Sequence, residues 1–130
     1  MAFEEEIELF IIDDDPLIRM IHSKIIEKSK LTACIKLFDN GKSVLDFINN
    51  KKSELNHKKV VFLLDVNMPI MNGWELLKAM ENEKEFSKYD VYILTSSISS
   101  LDREKSKSYK NVKAYLTKPF DITEFIQLLA

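Results

Sequence analysis

The sequence lacks several features that would assign a protein to a particular environment. It has a single cysteine, Cys34, so an intrachain disulfide and a zinc site built on several thiolates are excluded. No apolar run approaches the roughly 20 residues that a membrane-spanning helix needs, and residues 1–6 are acidic where a secretory signal would be basic. The net charge of -2 provides no electrostatic footprint for nucleic acid or for an anionic membrane. We therefore expect a cytoplasmic domain that binds neither nucleic acid nor membranes.

What the sequence does contain fits one globular domain. Apolar residues make up 45% of the chain and charged residues 31%, proportions that are typical of soluble globular proteins. No repeat, linker or change in composition divides the 130 residues. A chain of this length can bury one sizeable core. We expect residues 1–130 to form a single domain.

Short apolar runs alternate with longer amphipathic stretches along the chain, which is the pattern of βαβ units built around a parallel sheet. Most of the runs are apolar enough to be buried on both faces, as parallel strands are. The predicted strands are Ile7–Ile12, Cys34–Phe38, Val60–Leu64, Val91–Leu94 and Val112–Leu116. The fold class is therefore α/β, with a (βα)5 architecture.

Helices are predicted between these strands. The first begins at Asp15-Pro16, a capping residue followed by a proline suited to the first helical position. A fourth helix is predicted within 99–109, where serines and charges predominate, and we expect it to be mobile. Apolar stripes at helical spacing should face the sheet in the others: Ile18, Ile21 and Ile25; Val44, Leu45 and Ile48; Leu76, Leu77 and Met80; Phe125, Ile126 and Leu129.

Polar residues follow the predicted strands at their carboxyl ends, the edge where open parallel sheets bind ligands. Taken singly, each has an ordinary interpretation, such as a helix cap for Asp15 or a solvated surface charge for Lys118. Together they should converge on one edge of the sheet. The residues are Asp13, Asp14 and Asp15 after the first strand, Asp65 after the third, Thr95 and Ser96 after the fourth, and Thr117, Lys118 and Pro119 after the fifth.

Converging carboxylates repel one another, and keeping all of them ionised is unfavourable unless a cation lies among them. A hard divalent cation is the natural ligand for such a site. Mg2+ prefers oxygen ligands in octahedral geometry and usually keeps several waters, which suits a site that must also admit a phosphate oxygen. The sequence therefore predicts a Mg2+ site, with Mn2+ as a possible substitute.

Four segments of the chain form a recognisable pattern. They are 10–16 (Phe-Ile-Ile-Asp-Asp-Asp-Pro), 64–69 (Leu-Asp-Val-Asn-Met-Pro) with Asn72-Gly73, 94–96 (Leu-Thr-Ser), and 115–120 (Tyr-Leu-Thr-Lys-Pro-Phe). In order and spacing, essentially the whole chain resembles the receiver domains of two-component response regulators, and its layout is similar to that of stand-alone chemotaxis regulators. The resemblance implies a flavodoxin-like, doubly wound parallel sheet of five strands in the order 2-1-3-4-5, and a role in phosphorelay signal transduction.

The resemblance also implies roles for the acidic residues. Asp65 matches the phosphoacceptor, which is also a metal ligand. Asp14 matches a direct metal ligand, and Asp13 supports the metal through a water molecule. The main-chain carbonyl of Asn67 matches a further ligand. Magnesium-dependent self-phosphorylation and autodephosphorylation are then the only chemistry expected of the domain, which would not be a turnover enzyme.

The resemblance also implies roles in phosphoryl binding and signalling for other residues of the four segments. Thr95 and Lys118 would contact the phosphoryl group, Ser96 would leave room for access to the site, and Ser97 would influence the lifetime of the phosphate. Thr95 and Tyr115 would form a two-state pair, in which the threonine hydroxyl moves toward the phosphoryl group and the tyrosine takes the vacated space. This pair is the predicted switch.

The resemblance implies two kinds of protein partner. The donor is expected to be a sensor histidine kinase or a phosphotransfer protein, and a downstream protein target is expected to bind the switched surface. No output domain follows within these 130 residues. The signal should therefore leave through protein contact, unless the chain is a piece of a longer regulator or of a hybrid kinase.

Two other classes of function stay open at this point. A phosphatase or mutase of the haloacid dehalogenase type also uses a strand-end aspartate, but it needs a second aspartate two residues later, where this chain has Asn67, which cannot act as a general acid. Sustained turnover of a phosphate ester would favour that class. A receiver-like binding module that never takes phosphate is the other alternative, and failed labelling by every phosphodonor would favour it.

Overall fold

The computed structural model describes residues 7–55, 58–95, 104–105 and 107–129. Every predicted strand is present, with ends that differ from the prediction by at most one residue. The strands form a single five-stranded sheet in the order β2-β1-β3-β4-β5, and all neighbouring pairs are parallel, so the predicted topology is confirmed. The strands are β1 (Ile7–Ile12), β2 (Ala33–Phe38), β3 (Lys59–Asp65), β4 (Asp90–Thr95) and β5 (Val112–Thr117).

Helices connect the strands and begin at well-formed caps. The Asp15 side chain accepts a hydrogen bond of 2.9 Å from the Leu17 backbone N–H and so caps the first helix. The predicted helix within 99–109 falls largely outside the described residues and stays a prediction. None of the helices in the described part of the chain is long and apolar enough to cross a membrane. The helices are α1 (Pro16–Glu27), α2 (Gly41–Asn50), α3 (Lys52–Leu55), α4 (Gly73–Met80) and α5 (Ile122–Leu129), with a 3-10 turn at Glu85–Lys88.

Two hydrophobic clusters cover the two faces of the sheet, because successive side chains of a strand point to opposite faces. In β1, Phe10 and Ile12 pack into one cluster, together with apolar residues of α2 and α4. Leu9 and Ile11 pack into the other, together with residues of α1 and α5. The sheet is therefore covered by helices on both faces, as in a doubly wound α/β fold.

The buried face of α1 differs from the predicted stripe. Ile21 is 36% exposed, whereas His22 is completely buried, with its ring 5.0 Å from that of Phe120 in an edge-on arrangement. His22 and Ile26, four residues apart, line the face that meets the sheet. The prediction that Ile21 faces the sheet is wrong. A stripe chosen only from aliphatic residues leaves out His22 and so gives the wrong rotation of α1 about its own axis.

Candidate functional site

Three carboxylates meet at the carboxyl edge of the sheet. Asp13 follows β1, Asp14 is the next residue, and Asp65 ends β3, which is the neighbour of β1. Each offers an oxygen, and these oxygens all lie within 4.8 Å of one another. Asp13 and Asp65 are buried, at 2% and 5% exposure, whereas Asp14 is open to solvent. The site is therefore a small acidic pocket with one exposed wall.

Asp13 is held firmly from several directions. One carboxylate oxygen accepts a hydrogen bond from the Asp15 N–H at 2.9 Å, and the other lies 2.6 Å from the Lys118 ammonium. Its main-chain carbonyl accepts a bond of 2.6 Å from the guanidinium of Arg19, one turn into α1. A charge that is buried and paired in this way has little freedom to move.

Asp65 is held more loosely than Asp13. Its Oδ1 accepts a hydrogen bond of 3.2 Å from the Asn67 N–H, and its Oδ2 lies 3.4 Å from the Lys118 ammonium. Burial, followed by repulsion from Asp13, raises the pKa of the Asp65 carboxyl to about 6 despite the opposing influence of Lys118 and the Asn67 N–H. A carboxylate with this much unsatisfied negative charge is well placed to bind a cation or to attack an electrophile.

Lys118 lies between the two buried carboxylates, with its side chain 13% exposed. Burial tends to lower the pKa of its ammonium, but the hydrogen bond to Asp13 and the nearby charges of Asp65 and Asp13 outweigh burial, so the pKa is raised. The Lys118 N–H donates to the Thr95 carbonyl at 2.8 Å, which ties the ends of β4 and β5 together. The peptide bond between Lys118 and Pro119 is cis.

The loop after Asp65 folds back on the strand that precedes it. The Gly73 N–H donates to the Val66 carbonyl at 3.0 Å. A Cβ at Gly73 would lie 2.8 Å from both the Asp65 carbonyl oxygen and the Val66 Cα, distances that backbone atoms do not tolerate. Glycine is therefore required at this position to let α4 begin directly against the strand that carries Asp65.

The chemistry of the pocket fits a divalent cation. Three carboxylates and one ammonium leave two negative charges when all four groups are ionised. Carboxylate oxygens are the ligands that Mg2+ prefers, and it needs only one or two of them when it keeps several waters. Lys118 pairs more closely with Asp13, at 2.6 Å, than with Asp65, at 3.4 Å, so Asp65 and the exposed Asp14 are the carboxylates better placed to bind a cation.

The remaining predicted site residues lie at the same edge or outside the described residues. Thr95 ends β4 and is buried, at 3% exposure. Tyr115 lies in β5 beside Ile93, and its hydroxyl is buried although the residue as a whole is half-buried. Ser96 and Ser97 lie outside the described residues, so access and lifetime stay predictions for them.

Arg19 was not predicted as a site residue. The only sequence signal for it is its position, six residues after Asp13 and one turn into a helix that starts at the pocket. An arginine on an otherwise ordinary helix gives no indication that its guanidinium turns back to the strand end. Its contact with the Asp13 carbonyl makes it a positioning residue for the acidic loop.

Comparisons with known proteins agree with this geometry. The family model of the response regulator receiver domain matches residues 9–130, and the chain belongs to that family, which functions in two-component signalling. A curated relative, the DNA-binding transcriptional regulator NtrC of Escherichia coli K12, is 32% identical over 121 residues, covering 93% of this chain and 24% of the relative. The chain thus spans about a quarter of the length of the first curated relatives it matches.

Solved structures share the fold. A two-component response regulator from Cytophaga hutchinsonii has a TM-score of 0.84 at 24% identity, with 95% of this chain and 93% of that chain covered. The Vibrio cholerae chemotaxis protein CheY4 has a TM-score of 0.76 at 22% identity, with 96% and 97% covered. At these identities the similarity supports the flavodoxin-like fold, and the roles of individual residues need separate argument.

Proposed function

We propose that Asp65 accepts a phosphoryl group and that residues 1–130 act as a single receiver domain in the cytoplasm. The observation that carries this proposal is the difference between the two buried carboxylates. Asp13 is engaged at 2.6 Å by Lys118, whereas Asp65 keeps longer contacts and a raised pKa of about 6. A less stabilised carboxylate is the better nucleophile, and a pKa of about 6 leaves it mostly ionised near pH 7.

The proposed reaction is an in-line transfer. An oxygen of Asp65 forms a bond to the phosphorus of a phosphohistidine as the bond from phosphorus to the imidazole nitrogen breaks, and the imidazole leaves. Such transfer passes through a loose transition state, so catalysis consists mainly of positioning and of charge neutralisation. Lys118 supplies a positive charge 3.4 Å from Asp65, and the Asn67 N–H orients the nucleophile.

The proposed cofactor is Mg2+, with Mn2+ as a substitute, held by Asp14, Asp65 and the Asn67 main-chain carbonyl, with Asp13 in support. When bound, the cation would neutralise charge on the phosphoryl oxygens. Asp13 would then hold Lys118 and the cation at a fixed separation, because its carboxylate is already paired with the lysine. In autodephosphorylation, a water oxygen would form a bond to the phosphorus as the bond from phosphorus to the Asp65 oxygen breaks, which would release inorganic phosphate and restore the carboxylate.

Labelling with a small phosphodonor tests the proposal. We expect acetyl phosphate and Mg2+ to add one phosphoryl group to the native chain, and to add none to Asp65→Asn or to the native chain in excess EDTA. Intact-mass measurement detects the adduct. Asp46→Asn is the matched control, because Asp46 is an exposed acid on α2 that pairs with Lys42. An unlabelled native chain, or equal labelling of Asp65→Asn, would contradict the proposal.

The proposed partners are a sensor histidine kinase or phosphotransfer protein as donor and a downstream protein as target. What supports a donor of this kind is membership of the receiver family. A change at Asp65 must alter a surface that the target binds, and Thr95 and Tyr115 are the proposed switch. The Tyr115 hydroxyl is already buried. The phosphoryl group would therefore stabilise an inward tyrosine that the free chain already populates, which is a population shift.

The switch predicts a difference between two structures of the native chain. With Mg2+ and beryllofluoride, a phosphoryl mimic, we expect the Thr95 hydroxyl to move toward Asp65 and the Tyr115 ring to become fixed inward. Crystal structures or NMR spectra of the two states provide the measurement. Thr95→Ala should bind the mimic without the response at Tyr115. Identical positions of both side chains with and without the mimic would rule the switch out.

A further inference from the structure

The loop between β3 and α4 carries Asn67, whose main-chain carbonyl is a proposed ligand of the cation. Hydrogen bonds within this stretch of chain give the loop its shape. The Gly73 N–H donates to the Val66 carbonyl at 3.0 Å and closes the base of the loop. The Met71 N–H donates to the Pro69 carbonyl at 2.8 Å and closes a turn at its tip. Neither bond fixes the tip relative to another strand or helix.

A further main-chain bond ties the tip of the loop to α2, an element that is distant in sequence. The Gly41 N–H, at the first residue of α2, donates to the Met71 carbonyl at 2.9 Å. The first N–H groups of a helix have no partner within the helix. The bond therefore satisfies a free donor of α2 and at the same time holds the loop against the body of the domain.

Glycine is required at position 41 by this close approach, and not by backbone conformation. No glycine in the described part of the chain has a positive φ. A Cβ at Gly41 would lie 2.8 Å from Met71 Cγ, 2.9 Å from the Met71 carbonyl oxygen and 3.2 Å from Leu76 Cβ. Leu76 is fully buried in α4 and has no room to move. A side chain at position 41 would therefore displace Met71, and with it the tip of the loop.

The chain between the tip and the proposed ligand is short and stiff. Met71 follows Asn67 by four positions. Pro69 has a fixed φ, and the bond from the Met71 N–H to its carbonyl closes the turn that contains Ile70. The Asn67 N–H donates to the Asp65 carboxylate at 3.2 Å. Because this stretch has few free dihedrals, a shift at Met71 is passed on to Asn67.

We propose that Gly41 is a positioning residue for the cation site, because its contact with Met71 fixes the loop that presents the Asn67 carbonyl. This inference rests on the proposed binding of Mg2+ by Asp14, Asp65 and that carbonyl. Mg2+ demands near-ideal octahedral geometry, so a small shift of one ligand lowers its affinity. Groups that orient metal ligands without touching the metal typically change affinity by about 10- to 100-fold when they are replaced.

Amide exchange in the metal-free chain tests the contact itself. In EDTA, we expect Gly41→Ala to speed exchange at the Asn67 and Gly73 amides by about tenfold or more, because both donate bonds that define the loop. The increase at the amides of β1 should be smaller, since global unfolding affects all amides and a local shift affects the loop. Hydrogen exchange followed by NMR gives each rate. A native rate at Asn67, or an equal increase in the loop and in β1, would overturn the proposal.

Metal affinity tests the consequence for the site. Calorimetric titration should show that Gly41→Ala binds Mg2+ more weakly by about tenfold or more. Ca2+ makes longer bonds to oxygen in a more flexible geometry, so its affinity should fall by less than about threefold. Labelling by acetyl phosphate should then require more Mg2+ but reach the native rate at saturation. A purely structural role for Gly41 would not change the preference between the two cations.

Lys42→Ala is the matched control, because it introduces the same residue at the next position of α2, where the native side chain is exposed. It should bind Mg2+ with native affinity. If Gly41→Ala does not fold, Asn40→Ala loosens the start of α2 by removing the cap that accepts the Ser43 N–H at 2.9 Å. That variant should bind Mg2+ about threefold more weakly, and native affinity in it would overturn the proposal.

The outcomes separate the role of Gly41 from the cation site itself. Native Mg2+ affinity in folded Gly41→Ala would overturn the positioning role and leave the proposed site intact. Equal losses of affinity for Mg2+ and Ca2+ would do the same, because they would show general damage to the pocket and not a shift of one ligand. A native chain that binds no Mg2+ would instead overturn the proposed cation site.

Discussion

Asp65→Asn is expected to stabilise the metal-free chain at pH 7, raising the free energy of unfolding by about 1–3 kcal/mol. The pKa of Asp65 rises from 3.8 to about 6 on folding, because burial and then Asp13 disfavour its ionised form. The folded state therefore holds this proton more tightly than the unfolded state. Between about pH 4 and pH 6 the contribution of Asp65 to stability declines as the pH rises, and asparagine removes that penalty. Lys118 keeps Asp13 as its partner in the variant.

Urea denaturation at pH 4.5 and pH 7, in EDTA, measures this effect. The difference between Asp65→Asn and the native chain should be small at the lower pH and largest at the higher one. Mg2+ should stabilise the native chain more than the variant, since the cation binds Asp65 in the proposed site. Asp46→Asn controls for the loss of an exposed acid. A variant that is less stable than the native chain at pH 7 without metal would contradict the argument.

Lys118→Met is expected to change two properties of the pocket in opposite directions. Labelling by acetyl phosphate should slow by about 100-fold or more, because a charged donor to the transferred group is lost. Mg2+ should bind roughly tenfold more tightly or better, because the ammonium that lies 2.6 Å from Asp13 and 3.4 Å from Asp65 repels a cation at the same carboxylates. The lysine thus favours transfer at the expense of metal affinity.

Time courses of labelling and calorimetric titration with Mg2+ measure the two effects separately. Lys107→Met is the matched control, because Lys107 is an exposed lysine that pairs with Glu104, and it should alter neither quantity. Weaker Mg2+ binding by Lys118→Met would show that the ammonium does not compete with the cation. Labelling at the native rate would show that Lys118 does not act on the phosphoryl group.

The sheet and the position of the acids were predictable because they follow from patterns along the chain. Strands buried on both faces are apolar runs, and a polar residue such as Asp65 marks where such a run ends. Parallel order then brings the ends of β1 and β3 together without any knowledge of side-chain contacts. The strand ends and the acidic cluster can therefore be predicted from the apolar runs and the parallel strand order alone.

Features that depend on tertiary contacts were not predictable. His22 is buried against Phe120 because the rotation of α1 is set by packing over the whole helix, and burial lowers the pKa of its imidazole although the charge of Asp13 opposes this. The loop after Asp65 is joined to the start of α2 by a hydrogen bond of 2.9 Å from the Gly41 N–H to the Met71 carbonyl, and these two residues are distant in sequence. Lys118 was predicted as a phosphoryl contact, but nothing in its segment indicated that it pairs most closely with Asp13.

The run Asp13-Asp14-Asp15 looks like one acidic motif, yet its three residues have different structural roles. Asp13 is buried against an ammonium, Asp14 faces solvent beside the pocket, and Asp15 caps α1. In related chains, the position of Asp15 should therefore vary among Ser, Thr, Asn and Asp, which cap helices about equally well. The position of Asp13 should not vary in this way, because a shorter or neutral side chain there would leave the buried Lys118 without its nearest partner. Divergence within three adjacent identical residues would thus be uneven, with the Asp15 position tolerant of substitution and the Asp13 position intolerant of it.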